Sequence, residues 1–243
     1  MAAGRTARRI AAGVLLVTLG VVALSLATRA WVASYAVGDA ALPALMAMKL
    51  FDVNTEQNFP TWFASSLLLV CAALAMVIAV LQRAAGQRHV TAWTGLGLAL
   101  AALSLDEAVA MHEQLQSPDR RAIGDAGGGL LHFAWVVPGL LIAAVLAFGL
   151  TVFAARQHAR VRRLLIVAGV VFAAGALGSE TLSGLVLSRD GDRFLYVIVT
   201  AFEETLELAG AVFLLWAELL CLRLLRDGNG GLSLRLSDLG TGT

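Results

Sequence analysis

The stretch "VTAWTGLGLALAALSLDEAVAMHEQL", residues 90–115, decides the fold. From Val90 to Leu105 it carries no formal charge and reads as membrane-embedded helix; then Asp106, Glu107, His112 and Glu113 arrive within eight positions. Either the helix has left the bilayer there, or it carries costly groups into it.

Composition settles the solvent. The chain of 243 residues is 59% hydrophobic and 14% charged, with a mean hydropathy of +0.80, whereas a soluble domain would carry about 25% charged residues. The expectation is an all-α, polytopic membrane protein. A span needs about 20 largely apolar residues, and six stretches qualify: 10–31, 60–82, 91–114, 130–154, 162–187 and 195–222. They form one transmembrane domain over residues 1–226, followed by a Gly/Ser-rich tail, 227–243, expected to be disordered. The first stretch, Ile10 to Ala27, exceeds the usual h-region of a signal peptide and reads as an uncleaved helix.

Basic residues orient the bundle. With both termini in the cytoplasm, twelve of the 18 Lys and Arg residues fall inside, including Arg5, Arg8, Arg9 and the Arg156–Arg163 group. Trp31, Trp62, Trp93, Trp135 and Trp216 lie toward span ends, where indole rings favour the interface. The expected location is the cell membrane, with multiple passes. The segment "ALPALMAMKLF", 41–51, reads as an interfacial helix. Asn58 and Pro60 read as the start of the second span, with Glu56 either beside that cap or on a lid. Cys71 and Cys221 have no metal-type spacing and read as small core residues. Nothing suggests nucleic-acid binding.

In this topology most acids sort to the extracytoplasmic half. From the helical rise, and with the third helix ending near Leu115, Asp106 lies about 13 Å below the outer surface. Glu180 lies about 10 Å deep, Glu203 about 12 Å, and Glu207 a turn deeper. Small-residue stripes put these acids on interior faces: Gly95, Ala99, Ala102 and Asp106; Gly169, Ala173, Ala176 and Glu180; Thr200, Glu203, Glu207 and Gly210. The same small faces could join copies or partner chains into a homo- or hetero-oligomer. On the fourth span His132 precedes Pro138, which kinks that helix.

Each unpaired charge at depth costs about 2.5–3.5 kcal/mol, so five bare acids would cost on the order of 12–18 kcal/mol. Arg29 alone among the basic residues is placed to reach them; Asp52 reads as an ordinary loop acid, and Glu218, in the inner half, as a snorkelling partner of Arg223. Compensation must come from protons, cations or water.

The expected ligand set for a divalent metal is Asp106, His112, Glu113, His132, Glu180, Glu203 and Glu207, with Glu107 and Glu204 as proton-carrying catalytic groups. Carboxylates with one or two imidazoles suit Zn, Mn or Fe. The inventory is similar in kind to helical di-iron carboxylate sites, but the Glu-x-x-His pairs are absent: Val109 precedes His112 by three residues, and Gly129 precedes His132. HExxH, GxSxG and Walker signatures are also absent. The reading is a metal-dependent enzyme acting on a lipid or lipophilic substrate among the membrane lipids. The alternatives are a proton- or cation-coupled transporter using the same acids, and a non-catalytic binding or assembly subunit.

Overall fold

The structure, a computed structural model, describes residues 2–34, 41–111, 148–179, 193–226 and 231–239. These residues are mostly helical. Helix α1 spans Ala2–Ser34, α2 Ala41–Phe51, α3 Phe59–Ala84, α4 Val90–Val109, α5 Ala159–Ala173 and α6 Arg193–Cys221. Residues 148–155 are also helical, and α5 runs on into a π-helical turn, Ala174–Ser179. A two-stranded antiparallel hairpin follows α6, with β1 at Leu222–Arg226 and β2 at Leu232–Leu236.

Among the described residues three helices are long and apolar enough to cross a membrane: Gly4–Ser34, Phe59–Ala84 and Val90–Val109. Six were expected. The fourth stretch, 130–154, lies mostly outside the described residues, and the fifth is described as far as Ser179. The sixth coincides with α6, long enough at 29 residues but interrupted by Glu203, Glu204, Glu207 and Glu218. Large apolar side chains face outward along these helices, among them Leu16, Leu69, Val80, Leu98 and Val170. The interior is built instead from small residues such as Ala72, Ala75, Ala168, Ala211 and Ala217, the distribution expected where lipid surrounds the bundle.

The segment 41–51 is helical, as the sequence suggested. Helix α3 begins as its sequence predicts. Asn58 is the N-cap, its side-chain oxygen accepting from the Thr61 N–H at 3.2 Å, and Pro60 occupies the first turn, where no amide donor is needed. It ends in a Schellman closure: Gln87 N–H donates to the Gln82 carbonyl and Gly86 N–H to the Arg83 carbonyl. Gly86 stands there at φ +66, which costs a glycine nothing.

That turn folds α4 back along α3. Ser65 and Ser104 bond reciprocally, each hydroxyl donating to the other's carbonyl, at 2.9 and 2.8 Å. Gly97 lies 3.2 Å, measured from a would-be Cβ, from the Ala72 carbonyl, so the backbones approach closely. Trp93, fully buried, meets Phe153 edge-on at 5.0 Å.

Helix α4 runs to Val109, where Ala110 turns left-handed at φ 56 while its N–H donates to the Asp106 carbonyl. The remainder of the expected stretch, from residue 112 to 114, lies outside the described residues.

Helix α6 packs on α1, α3 and α5. At its C-terminal end Ser237 returns to the helix, its N–H on the Cys221 carbonyl and its hydroxyl on the Leu220 carbonyl. Strand β2 therefore occupies part of the stretch whose glycine and serine content suggested disorder; its pairing with "LRLLR" supplies backbone partners that composition does not reveal.

Candidate functional site

The site is built on the loop that joins α2 to α3, residues 52–58. Asp52, 2% exposed, organises it. Its carboxylate takes a two-pronged bond from Arg29 of α1, Nε to Oδ1 at 2.8 Å and Nη2 to Oδ2 at 2.6 Å. Oδ1 also accepts from the Asn54 N–H at 3.0 Å, and the Asp52 carbonyl accepts from the Thr55 hydroxyl and the Asn58 amide. Ser25 accepts from the Val53 N–H at 3.0 Å. Two residues of α1 therefore strap this loop down, and Asn58 ties it to α3. The sequence reading of Asp52 as an ordinary loop acid is corrected here: a buried carboxylate needs such a partner, and Arg29 supplies it.

This pairing also decides what Arg29 can do for the other acids. Its guanidinium is committed to Asp52, so its charge is largely neutralised where it stands. On α6, Tyr196 reaches the same corner, its phenol beside Asn54 and in the field of Arg29 and Glu203.

Glutamates from three segments act on one another electrostatically near this loop. Glu204 of α6 lies in the field of Glu207, of Glu107 on α4, and of Glu56 in the loop. Glu56, Glu107, Glu203, Glu204 and Glu207 are all partly buried. The sequence reading places Asp106 on the inward stripe of α4, with Glu107 beside it as a proton carrier. The buried face of α4 is Trp93, Gly97, Leu100 and Ser104, and Glu107 follows Ser104 by three residues on that face. Asp106 lies about 160° round from Ser104. Glu107 is thus the α4 acid that meets Glu204. The stripe drawn through Gly95 and Ala102 runs along a more exposed face.

Helix α5 forms the back wall through a contact the sequence did not suggest. A Cβ on Gly175, in the π turn, would lie 2.7 Å from Glu207 Cγ and 3.0 Å from the Glu203 carbonyl oxygen and the Glu207 nitrogen. One turn away, a Cβ on Gly210 would lie 2.7 Å from the Phe172 backbone nitrogen. Of the expected stripe on this helix, Gly169 lies against Leu150. The π turn shifts the helix phase by a residue, a change no regular periodicity could show.

The family model described as a domain of unknown function, DUF8692, matches residues 10–222. The chain belongs to this family. The match reaches from α1 to the end of α6 and so takes in every residue of the acidic cluster. No curated protein and no solved structure matches this DUF8692 chain.

His112, Glu113, His132 and Glu180 lie outside the described residues. Among the described residues no group of three or more His, Cys, Asp or Glu side chains is arranged to hold a metal ion. The glutamates converge electrostatically without forming a coordination shell by themselves.

A second acid stands apart. Glu218 is fully buried, and neither carboxylate oxygen has a hydrogen-bond partner among the described residues. Its polar neighbours are the thiols of Cys71 and Cys221, and Cys71 donates weakly to the Ala211 carbonyl at 3.7 Å. The expected ion pair with Arg223 is not formed: Arg223 faces Asp238 at 3.6 Å. The side chain of Glu218 sits on the interior face of α6, whereas Arg223 lies beyond the helix in β1.

Proposed function

We propose that this chain is a six-span membrane protein with both termini in the cytoplasm, and that its acidic pocket opens toward the extracytoplasmic side. In this reading it is a metal-dependent enzyme acting on a lipid or lipophilic substrate. The supporting observation is that Glu204 lies in the field of Glu56, Glu107 and Glu207, while Arg29 is bound to Asp52. Carboxylates gathered in this way attract a cation or protons. Three long apolar helices and the bias of basic residues toward the cytoplasmic loops support the topology.

Carboxylate oxygens suit a hard or borderline divalent cation. Glu204 and Glu207 would hold it from α6, and the set would be completed by His112, His132 and Glu180, with Glu113 and Glu203 as further oxygen donors. A bound divalent ion supplies Lewis acidity and a more acidic water. Glu107 would hold a proton next to Glu204, and Asp52 would keep Arg29 from competing for the carboxylates.

Metal analysis of the purified full chain tests this reading. The expected result is stoichiometric Zn, Mn or Fe that falls at least tenfold in a Glu204→Gln/Glu207→Gln variant, the loss of about 1.4 kcal/mol or more of binding. Wild-type protein without metal overturns it.

Glu218 favours a second reading. Glu204, Glu207, Ala211 and Glu218 lie within about 60° on one face of α6, and Glu218 follows Glu207 by about 16 Å. Buried acids spaced along a helix serve as proton relays in transport. Proteoliposomes would then show proton flux that Glu218→Gln abolishes; flux unchanged in that variant excludes the route.

A further inference from the structure

The hairpin that follows α6 has two unlike faces. Strand side chains alternate, and the register opposes Leu222 to Leu236, Leu224 to Leu234 and Arg226 to Leu232. One face therefore holds five leucines, with Arg226 at its far end. The other sets Arg223 opposite Arg235 and Leu225 opposite Ser233. Like charges directly opposite one another are destabilising, so this second face suits water and not a packed layer. Among the described residues the leucine face is covered at its base alone. Leu222 is buried there, and Leu236 packs on the core that α1, α3 and α6 share. Leu224, Leu234 and Leu232 are 65%, 42% and 67% exposed, and Leu232 lies about 13 Å beyond the base. A two-stranded hairpin is marginal in water unless its apolar face is packed.

The base of the leucine face rests on a bundle whose α1 and α3 are long and apolar enough to cross a membrane. Gly4, where α1 begins, meets Leu220, so α1 begins where α6 ends and the hairpin starts. The side of the hairpin that packs on the bundle is thus the side turned toward the bilayer. Beyond the edge of the bundle, the next layer in that direction is lipid. Arg223 and Arg235 are on the opposite side, but in a two-stranded sheet every residue stands at an edge, from which a long side chain reaches headgroup phosphates. The hairpin carries Arg223, Arg226 and Arg235 against Asp238, and Arg5, Arg8 and Arg9 occupy the same end of α1. This charge favours an anionic surface. A second copy of the chain is the poorer occupant, because three leucines expose far less than the roughly 800 Å² per partner that a stable interface buries.

We infer that the β1–β2 hairpin is an interfacial anchor. It lays Leu224, Leu232 and Leu234 into the anionic leaflet at which α1 begins and α6 ends, with Arg226 at headgroup level. The inference rests on the chain residing in a membrane and is independent of any metal in the acidic pocket.

Residues 224 and 225 are adjacent, exposed and on opposite faces. The full chain with Leu224→Cys or Leu225→Cys is labelled with a polarity-sensitive dye and placed in vesicles of phosphatidylcholine and phosphatidylglycerol. The native Cys71 and Cys221 are buried and escape the label. At 224 the dye emits as in an apolar medium and is quenched by lipid brominated on its acyl chains. At 225 it emits as in water and is quenched by iodide. Arg226→Gln lowers the ratio of inserted to free hairpin about fivefold, and vesicles of phosphatidylcholine alone lower it further. Iodide quenching of both positions alike overturns the proposal. So does a dye at 224 shielded from iodide yet untouched by brominated lipid, the outcome expected of a protein partner or a second copy. Insertion indifferent to both phosphatidylglycerol and Arg226 overturns it as well. Flotation of the same vesicles separates the two readings. Protein that floats with an aqueous dye at 224 fails this inference alone, whereas protein that does not float fails the membrane reading itself.

Discussion

Gly175 lies against Glu207 so closely that a methyl group in place of its hydrogen would come within 2.7 Å of Glu207 Cγ. Two further atoms in the clash, the Glu203 carbonyl oxygen and the Glu207 nitrogen, belong to backbone and cannot rotate aside. Gly175→Ala is expected to destabilise the protein by about 1–3 kcal/mol, read as a lower melting temperature in detergent. The same change moves Glu207, so metal or proton binding at the pocket should weaken with it. An equivalent change at exposed Gly95, which has open space around it, serves as the control and leaves both unchanged.

The Arg29–Asp52 pair predicts an asymmetry. Arg29→Ala leaves Asp52 buried without its cation, at a cost of about 3–5 kcal/mol. Arg29→Met together with Asp52→Leu removes both charges and should be markedly less damaging than the single change. A double-mutant cycle on urea or thermal unfolding measures the difference. Equal destabilisation by the single and double variants would show that the loop does not depend on the ion pair.

Glu218 predicts a gain. A buried polar group without a hydrogen-bond partner costs about 1–3 kcal/mol, so Glu218→Leu should raise the melting temperature even though it alters a core residue. A fall in stability would show that the carboxyl group is satisfied by a partner beyond the described residues. If the acid serves a relay, the stabilised variant is the inactive one.

Ala110 holds a conformation that suits glycine. The left-handed backbone costs an L-residue roughly 1–2 kcal/mol, and Ala110→Gly is expected to recover about 1 kcal/mol of it. The gain should appear in equilibrium unfolding without change at the acidic pocket, since residue 110 contributes no side chain to it.

The sequence made the membrane class, the helical content and the start of α3 legible, because each follows from local chemistry: apolar run length, and Asn58 followed by Pro60. What it hid depended on phase and on distant partners. The small-residue stripe assigns Asp106 to the interior, whereas the buried face of α4 is Trp93, Gly97, Leu100 and Ser104, because the phase of a helix is set by its packing against α3 and not by periodicity alone. The π turn at Ala174–Ser179 brings Gly175 into the contact that a regular stripe would have given to Ala173 and Ala176. Asp52 looked like a loop residue because its partner is 23 positions earlier in the chain, and Arg223 looked like a partner for Glu218 because it is near in sequence.

The crossed serines of α3 and α4 have a mechanical consequence. Sliding α4 by one turn would break both Ser65–Ser104 bonds together, so these helices shift as one piece, carrying Glu56 and Glu107 with them. Gly175 and Gly210 interlock α5 with α6 in the same manner, and that second piece carries Glu204 and Glu207. Glu107 on one braced pair and Glu204 on the other therefore share a boundary, and a cation or proton lodged between them would tie the two pairs together.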